Sequence, residues 1–283
     1  MKIAISAEST VDLSKELLAK YDIHVIPYNI ILGEDLFLDG EITPQQIFDY
    51  VDETGVLPRT SAINAFNYKE YFEGILKDYD AIVHIALSSK ISSSINNARE
   101  AASELNNVRI IDSQSLSTGI ALECIYASEL AKTDIGLDEL VAKVEKRIPY
   151  VQASFVVNTL SYLHKGGRCS ALALLGASIL RLKPQILLKD GEMIPGKKFM
   201  GKSLGCVNDY CDATLEEFNN PDRSIVFVTH SCATQDMVDA AKAKLVAKGF
   251  KNILETTAGA TITSHCGPKT LGILYFNDGG VKD

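Results

Sequence analysis

The run Ala81-Ile82-Val83-His84-Ile85-Ala86-Leu87 constrains this chain more than any other feature. It is apolar on both alternating faces, so it reads as a strand covered on both sides, the kind found in parallel sheets. Lys2–Ser6 and Val108–Asp112 are shorter runs of the same kind. Helical patterns fall between them: Asp12–Tyr21 with Leu13, Leu17 and Leu18 on one face, a segment capped by Asn64 and running to about Lys77, then Ile91–Leu105, Thr118–Ala131 and Leu137–Arg147. Strand alternating with helix implies a parallel α/β/α sheet. Ile23–Leu32 is rich in Ile and reads as extended, and Thr43-Pro44-Gln45-Gln46 is a helix start with a capping box.

The rhythm changes after Pro149. Val151–Val157, Ile225–His230, Asn252–Thr257 and Thr270–Phe276 read as strands, and so does the Gly259-Ala260-Thr261-Ile262-Thr263 segment. Pro184–Lys189 and Glu192–Pro195 flank Asp190-Gly191, a hairpin turn. Gln235–Lys248 is an amphipathic helix stopped by Gly249, and Ala171–Leu182 is apolar and helix-like. The expectation is an α/β protein of two lobes. Residues 1–155 form an N-terminal parallel α/β/α domain, and residues 156–283 form a C-terminal mixed-sheet α/β domain.

Charge and composition remove several classes of function. With 28 Lys+Arg against 36 Asp+Glu the net charge is −8, unsuited to general nucleic-acid or anionic-membrane binding. No apolar run approaches the ~20 residues of a membrane span. The N-terminus carries no secretory pattern, and the six cysteines form no C-x-x-C pair. Reduced, scattered thiols in a cytoplasmic protein are expected. There is no H-x-x-x-H and no EF-hand spacing, so no metal is expected.

Hydroxyl-rich segments stand at the expected strand-to-helix junctions: Pro58-Arg59-Thr60-Ser61, Ser88-Ser89-Lys90-Ile91-Ser92-Ser93-Ser94 and Asp112 through Gly119. Each alone reads as helix capping. Three on successive crossovers read as a shared anion-binding rim, because ligands of open α/β sheets bind beyond the strands' carboxyl ends. His164-Lys165-Gly166-Gly167-Arg168 offers close backbone approach and a guanidinium fork, or else a solvated helix end. His265 in Ser264-His265-Cys266-Gly267-Pro268 is an anion donor or a structural histidine, and His84 belongs to the core. Gly196 through Ser203 fits G-x-x-x-x-G-K-[ST], and Gly201 through Gly205 fits G-x-S-x-G. Pro195 and the upstream hairpin sit badly with a phosphate loop, and Gly205 is expected to weaken a following helix. A nucleotide-dependent phosphotransferase using Gly196–Ser203 is therefore the second reading.

In this order and spacing, the segments resemble the DegV family of bacterial fatty-acid-binding proteins. The anchors are Glu8-Ser9-Thr10-Val11-Asp12-Leu13, Arg59-Thr60-Ser61, Ser88 through Ser92, Ile111-Asp112-Ser113, Thr159 through Arg168 and Ser264 through Pro268. The resemblance implies a non-enzymatic protein that holds one long-chain fatty acid, such as palmitate, between its lobes. It hands the acid to a separate fatty acid kinase, which makes acyl phosphate for phospholipid synthesis; a carrier that never meets a kinase is the other possibility. Carried over, the family's carboxylate-binding Thr and Ser fall on Thr60 and Ser92, and its head-group Arg and late His on Arg168 and His265. Ser61, Ser93, Gly166 and Gly167 complete the expected ligand-binding set. No cofactor is implied. Ala171–Leu182, with Gly176 and Ala177, is the candidate tunnel wall or else ordinary core. The chain departs from the family pattern at Glu8, Ser93, Met200 and Lys269.

Overall fold

A computed structural model describes residues 1–169 and 182–280. The expected tunnel-wall segment Ala171–Leu182, apart from Leu182 itself, lies outside the described residues.

Residues β1 (Ile3–Glu8), β2 (Ile23–Ile26), β6 (Ala81–Ala86) and β7 (Val108–Asp112) form a wholly parallel sheet in the order β2-β1-β6-β7. Every residue of β1 and β6 is buried, which is what the doubly apolar run requires. Helices α1 (Lys15–Tyr21), α3 (Ala65–Ile75), α4 (Ser94–Ser103), α5 (Thr118–Ala131) and α6 (Leu137–Arg147) accompany it.

The second sheet is mixed. Its order is β10 (Glu192–Met200), β9 (Leu182–Lys189), β8 (Val151–Val156), β13 (Thr270–Phe276), β11 (Val226–Ser231) and β12 (Ile253–Thr257), with only the β11–β12 pair parallel. Helices α8 (Ser203–Glu217) and α9 (Gln235–Ala247) pack on one face with Tyr210, Val228 and Tyr275 in a single core cluster. The other face shares a core with the first lobe, where Ile82 and Val83 join Phe155, Ile186, Phe227 and Leu274. The chain is thus an α/β protein built on one parallel and one mixed sheet. The boundary expected at 155/156 falls inside β8, a strand of the second sheet.

Several local expectations are met for local reasons. Thr43 and Gln46 form the capping box of α2 (Pro44–Thr54), and Asn64 caps α3 through Asn67 N. Asp190 and Gly191 take φ of 51° and 82°, the paired positive values of a tight hairpin turn.

Others are corrected. Ile23–Leu32 breaks at Pro27-Tyr28 into β2 and β3 (Asn29–Leu32), which belong to different sheets. Asp12–Tyr21 opens as a 3-10 turn, and α1 begins only after Ser14 caps it. The Thr60-Ser61 pair stands on a strand, β5 (Arg59–Ser61), rather than at a strand-to-helix junction. That strand joins β3 and β4 (Asp35–Leu38) in a three-stranded antiparallel sheet. Gly259-Ala260-Thr261-Ile262-Thr263 is not a strand: Ala260–Cys266 is helix α10. Gly205 does not stop α8, whose buried Cys206, Val207, Tyr210, Cys211 and Leu215 outweigh the ~1 kcal/mol propensity cost of one glycine.

The β9–β10 hairpin docks its tip on the first lobe. Ser88 Oγ donates to Gly191 O at 2.7 Å, and a Cβ on Gly191 would lie 2.7 Å from that same oxygen. Gly191→Ala combines this clash with a positive φ. It is expected to cost about 1–3 kcal/mol of unfolding free energy, read as a lower urea midpoint with unchanged slope.

Candidate functional site

A cavity lies between the two lobes, with about 1020 Å³ of free space including its mouth. This is the size of a small-molecule site. Leu87, Ile91, Leu116, Phe155, Leu163, Met193 and Leu274 supply its apolar wall. The parallel sheet, the mixed sheet and the small antiparallel sheet each contribute residues to it.

The polar end gathers most of the expected site. Thr60 on β5 brings its Oγ1 to 2.9 Å from Nε2 of His265 on α10, a pairing across 205 positions of sequence. Ser92, in the turn between β6 and α4, brings its Oγ to 3.0 Å from the Tyr28 hydroxyl and accepts from Ser94 N at 3.2 Å. Ser93, at the N-terminus of α4, borders the cavity without a capping hydrogen bond from its side chain. Arg168 follows α7 (Ser161–Gly166) and borders both the cavity and a smaller adjoining recess with Arg59 and Lys165, while donating to Gly166 O at 2.6 Å. Gly166 sits against the imidazole, where an added Cβ would meet His265 Nδ1 at 2.8 Å.

Two expected residues stand apart. Ser61 accepts from Asn29 Nδ2 at 3.3 Å and does not border the cavity, and Gly167 is the left-handed C-cap of α7 with φ of 67°. All three hydroxyl-rich segments nevertheless converge, since Ser117 of the third also borders the cavity.

Sequence reasoning missed Tyr28. Its one signal was Pro27 just before it, breaking the extended run. Behind the Ser92 turn, Ser94 Oγ lies 2.9 Å from the Tyr68 hydroxyl, which donates to Glu8 Oε1 at 2.8 Å. Leu87 N donates to Glu8 Oε2 at 2.8 Å. The Glu8 departure therefore provides a buried acceptor that ties the end of β6 to α3 and α4.

Burial, and then the nearby Arg168 guanidinium, push the His265 imidazole down to about 4. It is neutral at pH 7, and Nδ1 has no partner within the described residues. The site therefore presents a neutral imidazole, two hydroxyls and one guanidinium to an anion, at the end of an apolar slot.

The segment Gly196 to Met200 is strand β10 in an antiparallel hairpin. It is extended and does not wrap round a phosphate.

Comparison with known proteins agrees with this geometry. The model of the DegV family, described as an uncharacterised protein family, matches residues 2–278. The chain belongs to the DegV family. A DegV domain-containing protein of Clostridium perfringens is 28% identical over 98% of each chain, and a fatty acid-binding protein of Thermotoga maritima is 27% identical over 96% of each. Among solved structures, a fatty-acid-binding DegV family protein from Thermus thermophilus superposes with a TM-score of 0.91. It is 27% identical, with 98% of this chain and 99% of that one covered.

The His265 shift sets a pH dependence. Its unfolded value is about 6.5 and its folded value about 4. The unfolded chain binds the proton first, so this contribution to stability is full above pH ~6.5 and lost as pH falls toward 4. His265→Gln is expected to flatten the fall in urea midpoint across that window relative to wild type; an identical slope would refute the assignment.

Proposed function

We propose that this DegV-family chain binds one long-chain fatty acid, such as palmitate, in the cavity between residues 1–155 and 156–283. Thr60 and Ser92 hydroxyls hold its carboxylate, with His265 and Arg168 beside it. The observation that carries this reading is one cavity with a long apolar wall and, at one end, unlike hydrogen-bonding groups drawn from distant parts of the chain. The relatives named for fatty-acid binding support it.

The energetics suit such a ligand. About 14 methylenes at ~0.8 kcal/mol each give roughly 11 kcal/mol before association costs, whereas a charged hydrogen bond adds about 1.5–3 kcal/mol. The tail supplies affinity and the head supplies orientation.

The chain further acts as the lipid-presenting subunit of a separate fatty acid kinase in the cytoplasm, and holds no nucleotide itself. The family resemblance supports this step. The extended conformation of Gly196–Met200 weighs against the phosphotransferase alternative. Mixing loaded protein, a purified fatty acid kinase and ATP is expected to yield acyl phosphate; unreacted acid would leave a carrier role alone.

Mass spectrometry of freshly purified, denatured protein is expected to release a long-chain acid in stoichiometric amount. Ser92→Ala and Thr60→Val are each expected to weaken retention about tenfold, the loss of one charged hydrogen bond, with the circular dichroism spectrum unchanged. Undiminished retention in both variants would place the head group elsewhere.

A further inference from the structure

We propose that the cavity favours a long-chain fatty acid bearing a hydroxyl on the carboxyl-proximal half of its chain, recognised by Thr261 and His230. This rests on the fatty-acid reading above and adds a ligand class to it.

The argument begins on α10. Thr261 and His265 are four residues apart, so they share a helix face, and both border the cavity. Four residues of helix rise about 6 Å. The wall one turn from the carboxylate end is therefore a threonine rather than an aliphatic side chain. Thr261 is only 4% exposed, and its Oγ1 has no partner within the described residues.

Beside it, at the end of β11, His230 also borders the cavity, and its backbone oxygen accepts from Ala258 N at 2.9 Å in the approach to α10. Its Nδ1 is buried without a partner, while Nε2 lies 3.2 Å from Glu255 Oε1. Lys242 Nζ, 2.5 Å from Glu255 Oε2, holds that carboxyl below its usual range. A carboxylate only accepts, so the neutral imidazole carries its proton on Nε2 and Nδ1 offers a lone pair.

The neighbouring hydroxyls are already engaged. Thr229 Oγ1 is shared between Thr118 and Thr256, Ser231 Oγ pairs with Thr263, and Thr270 Oγ1 donates to Cys266 O. The wall thus offers one hydroxyl able to donate and one nitrogen able only to accept. A plain alkyl chain leaves both desolvated and unpaired, which is costly. A hydroxyl serves both, accepting from Thr261 Oγ1 and donating to His230 Nδ1. A ketone serves only the first. The 6 Å offset places that group several carbons from the carboxylate, away from the methyl end.

The test displaces a fluorescent fatty acid from the full chain with stearate, an oxostearate series and monohydroxystearates differing in hydroxyl position. An isomer hydroxylated in the carboxyl half is expected to bind about tenfold tighter than isomers hydroxylated near the methyl end, with the matching ketone between them. Thr261→Val and His230→Leu should each reduce this preference to about twofold or less while keeping stearate binding, and Thr261→Ser should restore it. Stearate binding with no positional preference, or a preference that survives both variants, overturns the hydroxyl reading alone. Binding of neither stearate nor any hydroxystearate overturns the fatty-acid reading and this inference with it.

Discussion

The site depends on a pair of carboxylates from the first lobe that grip the start of α10 in the second. Asp12 Oδ1 accepts from Gly259 N at 2.8 Å, and Asp39 accepts from Ala260 N at 2.8 Å and Thr261 N at 3.2 Å. A seven-residue helix is too short to be stable alone. Its unsatisfied N–H groups and positive end are met here by groups more than 200 positions away in sequence. Because α10 carries His265 at its other end, the same clamp that makes the helix also brings the imidazole to Thr60. Burial pushes Asp12 up to about 8, against the hydrogen bonds from Ser117 and Gly259 that pull it down. The lobes are therefore joined by hydrogen bonds to a carboxyl that is largely uncharged at neutral pH, alongside the shared apolar core, rather than by a strong ion pair.

A second constraint fixes the other half of the head site. Ser92 lies in a turn, and turns hold position only when something behind them is rigid. Glu8, at the end of a central strand, accepts from the backbone of Leu87 and from Tyr68, and Tyr68 reaches Ser94 at the first residue of α4. The Ser92 hydroxyl, 3.0 Å from Tyr28, is thus backed by a buried chain of hydrogen bonds rooted in the parallel sheet. The glutamate is one methylene longer than the aspartate expected at this position, and both of its oxygens are used.

What was legible in the sequence is what short-range physics decides. The doubly apolar β6, the capping box at Thr43, the Asn64 cap and the Asp190-Gly191 turn are each determined by residues within a few positions. What was not legible is decided across the molecule. Gly259 to Thr263 has the β-branched content of a strand and becomes a helix because Asp12 and Asp39 cap it. Arg59–Ser61 has no strand pattern and becomes extended because β3 offers an open edge. Thr60, Ser92, Arg168 and His265 were found through their order along the chain and the family resemblance, since no local rule joins positions 205 apart. Tyr28, which no motif marked, emerged only from its hydroxyl's distance to Ser92.

The neutrality of the head site bears on what kind of binder this is. A carboxylate buried against a fixed cation gains strength, but both charges lose their water, and the pair is hard to separate again. Here the groups set inside are hydroxyls and an imidazole that burial keeps uncharged, while Arg168 stands at the rim with its guanidinium on a backbone carbonyl. Dipoles of this kind orient an anion without neutralising it. The ligand's oxygens keep their negative charge and their nucleophilicity, and most of the holding free energy comes from the apolar wall. Such a division of labour suits a protein that must hold a lipid tightly by its tail yet leave its head available to a reaction carried out by another protein.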